Sequence, residues 1–248
     1  MIICRSSAEI EKLRRAGRMA RELLEEMRKR ARPAMSTLDL ERHVEKRLIQ
    51  LGARPAFKGY RGYPCCLCTS VNDEIIHGIP SERRLKEGDI VSLDVGVVLE
   101  GYYGDSALTV PVGEITESTQ RLLRVTEEAL ELAIAKAHLG NHLGDISATV
   151  QQHVERNGYS VVREFVGHGI GRELHEEPQI PNFGLPGHGP VLKEGMVLAI
   201  EPMVNAGRPE VRVLGDSWTA VTADGTLSAH FEHMVAVTKN GPDVLTRL

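Results

Sequence analysis

The strongest constraint on this chain is an order of elements that occurs twice. Ser6-Ser7-Ala8-Glu9 is a capping-box sequence, and from there to about residue 31, Ile10, Leu13, Gly17, Ala20, Leu24 and Met27 recur at helical spacing. Pro33 stops that pattern. Ser36 offers a second N-cap, with Leu38, Val44, Leu48 and Leu51 on a helix that closes at Gly52. Residues 53–64, rich in Gly, Pro and Tyr, read as a loop; residues 66–72 and 89–110 read as strands. The second round repeats the first. A helix over 117–138 closes at Gly140, another over 143–157 stops at Gly158, and strand-like segments follow at 159–166, 196–204, 218–222 and 227–238. Asp224-Gly225 between the last two is a hairpin turn signal. Helix, helix, strands, twice over, predicts two similar halves packed into one α+β domain spanning 1–248, with a functional site where they meet. With 42% hydrophobic residues, the chain carries enough apolar material for one such core.

Charge excludes several function classes. A net charge of -4 leaves no basic stripe for nucleic acid. Arg21-Glu22-Leu23-Leu24-Glu25-Glu26 reads as a solvated helix face. Arg5, Glu9, Glu11 and Lys12 come early with no apolar run behind them, so no signal peptide is predicted. No uninterrupted apolar run approaches the roughly 18 residues of a membrane span. The expectation is a cytoplasmic protein. Cys65 and Cys68 form a lone C-x-x-C; without a second pair this is no zinc knuckle, and the thiols read as reduced, small apolar residues.

The acidic residues carry the chemistry. Residues 90–98 (IVSLDVGVV) form a strand with one buried wall, and Glu100-Gly101 supplies a two-residue turn. That turn puts Asp94 opposite Ala107, with Asp105 two residues along on the same face. Diagonal neighbours on one face lie about 7–8 Å apart, so the two carboxylates can converge on one ion. Like charges this close need a cation between them or a proton. In the second half, His168 stands among glycines in Gly167-His168-Gly169-Ile170-Gly171, and His175 follows seven residues later. Glu201 ends the apolar run 196–200, and Glu232 sits inside the strand-like 228–237. Each buried carboxylate needs a partner. Together these four carboxylates and one imidazole suit Mn, Fe(II), Co or Zn. Four carboxylates exceed what one catalytic ion needs, so two ions about 3.5–4 Å apart fit better, lowering the pKa of a shared water towards about 7.

The ordered set Asp94-x10-Asp105, His168, Glu201 and Glu232, with His77 in His77-Gly78-Ile79-Pro80 and His175 in His175-Glu176-Glu177-Pro178, resembles the type I methionine aminopeptidases in their short bacterial form. The similarity runs over essentially the whole chain. It implies the pita-bread fold, two pseudo-symmetric halves around an antiparallel sheet. It implies two divalent ions, one held by Asp105, His168, Glu201 and Glu232, the other by Asp94, Asp105 and Glu232. It implies Glu201 as proton acceptor, His175 as oxyanion stabiliser and His77 as a contact to the amide on the leaving side. Tyr60, Tyr63, Cys68 and Trp218 match pocket positions of the family. Phe57 stands where some members have Cys, and Leu174 where many have an aromatic residue. Asn72 and Ser228 match a monovalent-cation site of some relatives. The implied substrates are nascent polypeptide N-termini, met by a monomer with at most transient ribosome contact.

Two other readings compete. Prolidases and aminopeptidase P share the pita-bread fold but carry a large N-terminal domain, for which the stretch before Asp94 is too short. A non-catalytic peptide- or ribosome-binding relative would have lost metal ligands, and all five are present here.

Overall fold

The computed structural model describes residues 1–248. The duplicated order is realised. Two helices, α1 (Ser7–Arg30) and α2 (Thr37–Gln50), precede the first set of strands. Two more, α3 (Glu117–Ile134) and α4 (Leu143–Arg156), precede the second. Ser6 and Glu9 form the predicted reciprocal cap of α1, and Ser36 and Asp39 do the same for α2. α3 ends four residues before the predicted His138. There Lys136 N and Ala137 N donate three residues back, to Ala133 O and Ile134 O, tightening the chain out of α geometry.

The first half is built on the predicted hairpin. Ile90–Leu99 pairs antiparallel with Tyr102–Pro111, and Asp94 lies opposite Ala107 as the turn required. Glu100 and Gly101 both have positive φ, 51° and 81°, as a tight hairpin with right-handed twist demands. Leu67–Val71 pairs along the other edge of Ile90–Leu99. The 53–64 loop is more ordered than its composition predicts. Arg54–Pro55 pairs with Val98 and Val97, and Tyr60–Gly62 forms a 3-10 turn.

In the second half several predicted strands are shorter or broken. Only Ser160–Val161 of 159–166 is a strand. The segment 196–204 divides into Val197–Ile200 and Met203–Asn205, and 227–238 into Ser228–His230 and His233–Thr238. The Asp224-Gly225 turn exists, but its flanking strands do not pair. Ala220–Thr222 joins Val211–Val213 and Glu74–Ile76, while Ser228–His230 joins Met203–Asn205. The Asp224 carboxylate binds the Arg208 and Thr226 backbone amides and draws the turn aside.

The two breaks coincide. Ile200 pairs with His233 and Met203 with His230, so the register runs unchanged across the gap and sets Glu201 opposite Glu232. At the gap Glu232 N donates instead to Ala107 O of the first hairpin, at 2.9 Å. This contact joins the halves. One apolar cluster of 42 buried residues runs from Leu23 and Leu24 of α1 to Val235 and Val237 of the last long strand.

α1 lies close against the hairpin at Gly104, where a side chain would run into the helix backbone at Ala16 and Gly17. Gly104→Val should therefore cost about 1–3 kcal/mol or more through overpacking. A thermal melt should show it as a lower Tm than wild type; an unchanged Tm would mean that α1 can retreat freely.

Candidate active site

The five predicted ligands meet. Pairing places Asp94, Ala107, Glu232 and Glu201 in one cross-strand row, and directly opposed residues share a sheet face. Asp105 lies two residues from Ala107 on that face. His168 pairs with Ala199, two residues from Glu201, and so shares it too. Ala107, between Asp94 and Glu232, has a side chain too small to fill the space. All five side chains are buried. Ligand atoms of Asp105, His168 and Glu232 lie within 4.8 Å of one another. His168 Nε2 stands 3.5 Å from Glu201 Oε1 and 4.0 Å from Asp105 Oδ2.

Three carboxylate oxygens of this cluster lack protein partners. Asp94 Oδ1, Asp105 Oδ1 and Glu232 Oε1 are buried without a hydrogen bond. Such atoms cost free energy unless something else meets them. Burial pushes the Asp94 carboxyl up to about 7 and Glu201 up to about 8. Burial and neighbouring carboxylates push Asp105 and Glu232 well above the usual range. Burial holds His168 down at about 3, so its ring is neutral. An oxygen-rich set with one neutral imidazole is the donor chemistry of a hard or borderline divalent cation, and these residues fit it.

A pH dependence follows. In the metal-free protein the raised carboxyls bind protons that the unfolded chain has already released, so stability is present below about pH 4 and lost as pH rises towards 8. A divalent ion must displace those protons, so its affinity should rise over the same range. Titration calorimetry with Mn(II) at pH 7, in two buffers of different ionisation enthalpy, should reveal proton release. Identical heats in both buffers would count against it.

The cluster floors a cavity of about 530 Å³. Its walls include Phe57, Tyr60, Tyr63, Cys68, His77, Leu174, His175 and Trp218, every pocket position anticipated from the sequence. Tyr63 is fixed by its hydroxyl, which shares its one proton between Leu67 O at 3.1 Å and Gly78 O at 3.0 Å, and Trp218 meets its ring edge-on at 5.1 Å. Phe57 packs on Gly96, where a side chain would strike the ring. His77 holds a left-handed φ of 61°, an uncommon conformation for a residue with a side chain, and the next residue, Gly78, has no room for one against Thr69 O. Burial keeps His77 and His175 neutral, each at about 4. His175 Nδ1 lies 2.7 Å from the Tyr60 hydroxyl. With that hydroxyl donating, the ring proton sits on Nε2.

Three participants escaped sequence reasoning. Phe165 lines the cavity and meets the His77 ring edge-on at 5.5 Å, and Gln179, the strand partner of His168, lines it too. His230 Nε2 stands 3.3 Å from Glu201 Oε2, yet out of line for a hydrogen bond, so both ring nitrogens are buried and unpartnered. His230 lies two residues before Glu232, a spacing that would have placed both on one face had the strand been continuous. All four cysteines are free, and burial pushes Cys65 up to about 11 and Cys66 to about 12, far from the range of a reactive thiolate. No helix is long and apolar enough to cross a membrane.

Comparison with known proteins follows the same lines. Residues 11–239 match metallopeptidase family M24. A methionine aminopeptidase of Clostridium perfringens is 52% identical over 246 residues, 99% of each chain. The crystal structure of a methionine aminopeptidase from Thermotoga maritima superposes with a TM-score of 0.98 at 51% identity, over 100% of both chains. A prolidase from Pyrococcus furiosus, at 24% identity and a TM-score of 0.82, shares the fold over 99% of this chain and 66% of its own.

Proposed function

Because this chain belongs to metallopeptidase family M24, among its type I-like methionine aminopeptidases, it is a metal-dependent aminopeptidase of pita-bread fold, and we propose that it removes the initiator methionine from nascent polypeptides using the five buried groups described above. One observation carries this reading: side chains from both halves converge with unpartnered oxygens under a cavity large enough for a methionyl residue.

Asp105, His168, Glu201 and Glu232 would hold one divalent ion, and Asp94, Asp105 and Glu232 the other. When bound, such ions polarise the scissile carbonyl and make water acidic near neutral pH. The identity of the ions, Co, Mn, Fe(II) or Zn, follows supply as much as ligand chemistry. The remaining work belongs to the chain. Glu201, buried at the cavity floor, accepts the proton of the attacking water. His175, neutral and protonated on Nε2, donates to the oxygen on which charge grows. His77 contacts the amide on the leaving side. Phe57, Tyr60, Tyr63, Cys68 and Trp218 surround the thioether side chain, for which aromatic and sulfur groups are good neighbours.

A monovalent cation at Asn72 and Ser228 would rest on backbone carbonyls. The Asn72 side chain is already engaged by Asp89 and Ile90 N, and the Ser228 hydroxyl shares its one proton between Asn205 Oδ1 at 2.9 Å and Val204 O at 3.2 Å. Residues 1–248 are read as one catalytic domain, a cytoplasmic monomer with at most transient ribosome contact.

The test compares hydrolysis of Met-Ala-Ser with that of an X-Pro dipeptide at saturating Mn(II), in wild type and His175→Ala. Methionine release by wild type, falling about a hundredfold or more in the variant, supports the reading. Preference for X-Pro would sink the substrate assignment, and equal rates in both proteins would sink the role of His175.

A further inference from the structure

The N-terminal segment crosses beneath the loop that carries His175. Arg5 N donates to Gly195 O at 2.7 Å. The Arg5 guanidinium, its side chain only 5% exposed, lies against both carboxylate oxygens of Glu176. The same carboxylate accepts the backbone N–H groups of Arg172 at 2.8 Å and Glu173 at 3.2 Å. The chain from Gly171 to Glu176 is thus wound around one partly buried anion with one buried cation behind it. Two glycines make room for the cation. A side chain at Gly171 would collide with the Arg5 guanidinium, and one at Gly195 with the Arg5 backbone.

This arrangement adjoins the chemistry directly. Glu176 follows His175 and opens the strand Glu176–Ile180, where it pairs with Gly169 beside His168. The five residues before it form no helix or strand; beside Tyr103 N on Gly171 O and the buried Leu174 side chain, the Glu176 carboxylate is what gathers their backbone. The His175 ring has one hydrogen bond, to Tyr60. It cannot correct a shift in its own backbone.

We propose that Arg5 and Glu176 are positioning residues for His175, setting the 171–176 loop so that its imidazole stays aimed into the cavity. This rests on the reading of His175 as the donor to the developing oxyanion. A small misplacement of such a donor costs one or two powers of ten in rate.

The test is a double-mutant cycle at saturating Mn(II) with Met-Ala-Ser. Arg5→Ala should lower kcat about tenfold while KM stays within about twofold, and Arg5→Lys should recover much of the loss. In a His175→Ala background the same Arg5→Ala change should cost nothing further, because the group it positions is gone. An equal loss in both backgrounds, or an unchanged kcat in Arg5→Ala, overturns the proposal. A crippled His175→Ala with an additive Arg5 effect overturns it alone. A fully active His175→Ala overturns it together with the reading of the site. Should Arg5→Ala not fold, Glu176→Gln, which keeps volume and removes charge, goes through the same cycle and is read in the same way.

Discussion

Asp105→Asn is expected to lower kcat/KM about a thousandfold or more and to strip metal from the protein. A bound ion contributes several kcal/mol of charge stabilisation in the transition state, and about 4 kcal/mol is a factor near a thousand. Asp105 is, with Glu232, one of the two residues proposed to serve both ions. Its Oδ1 has no protein partner, and its neighbours include His168, Asp94 and Glu232. Asn keeps the volume and one oxygen but removes a charge from the cluster. Mass-spectrometric metal content and turnover should fall together. Unchanged metal content at unchanged rate would remove Asp105 from the site.

Glu201→Gln should separate proton transfer from metal binding. Loss of a positioned general base costs about 10²–10⁴ in rate. Glu201 is proposed to serve one ion where Asp105 serves two, so metal content should fall less than in Asp105→Asn. KM should change little, because the pocket walls are other residues: Phe57, Tyr60, Tyr63 and Trp218. A kcat within about tenfold of wild type at full metal occupancy would move the proton acceptor elsewhere, with His230, 3.3 Å from Glu201, the first residue to test.

What could be read from the chain depended on how local each feature is. Helix starts are local: Ser6 with Glu9 spans four residues, and the cap formed as written. The Asp94–Asp105 relation is nearly local, because a two-residue turn fixes the register of everything it joins, and Asp94 does oppose Ala107. The row that holds Glu201 and Glu232 is not local. It depends on two strands breaking at the same register and on Ala107 O taking the amide of Glu232, a partner 125 residues away in the other half. Pro202, which has no N–H to offer, was the one visible sign of the break. Short strands such as Glu74–Ile76 and Val211–Val213 escaped for a related reason: three residues carry no periodicity, and tertiary pairing alone makes them extended. Asp224-Gly225 erred the other way, a true turn between strands that found other partners.

The coincident breaks also bear on how the enzyme should fail. Glu201 and Glu232 sit where paired strands leave one sheet and enter another, each pinned on both sides by ladder bonds in unbroken register. A carboxylate so tethered has no slack with which to follow a partial loosening of the scaffold. Heating should therefore give no long interval of weakened but working enzyme: ion retention, turnover and the cooperative melt ought to vanish together.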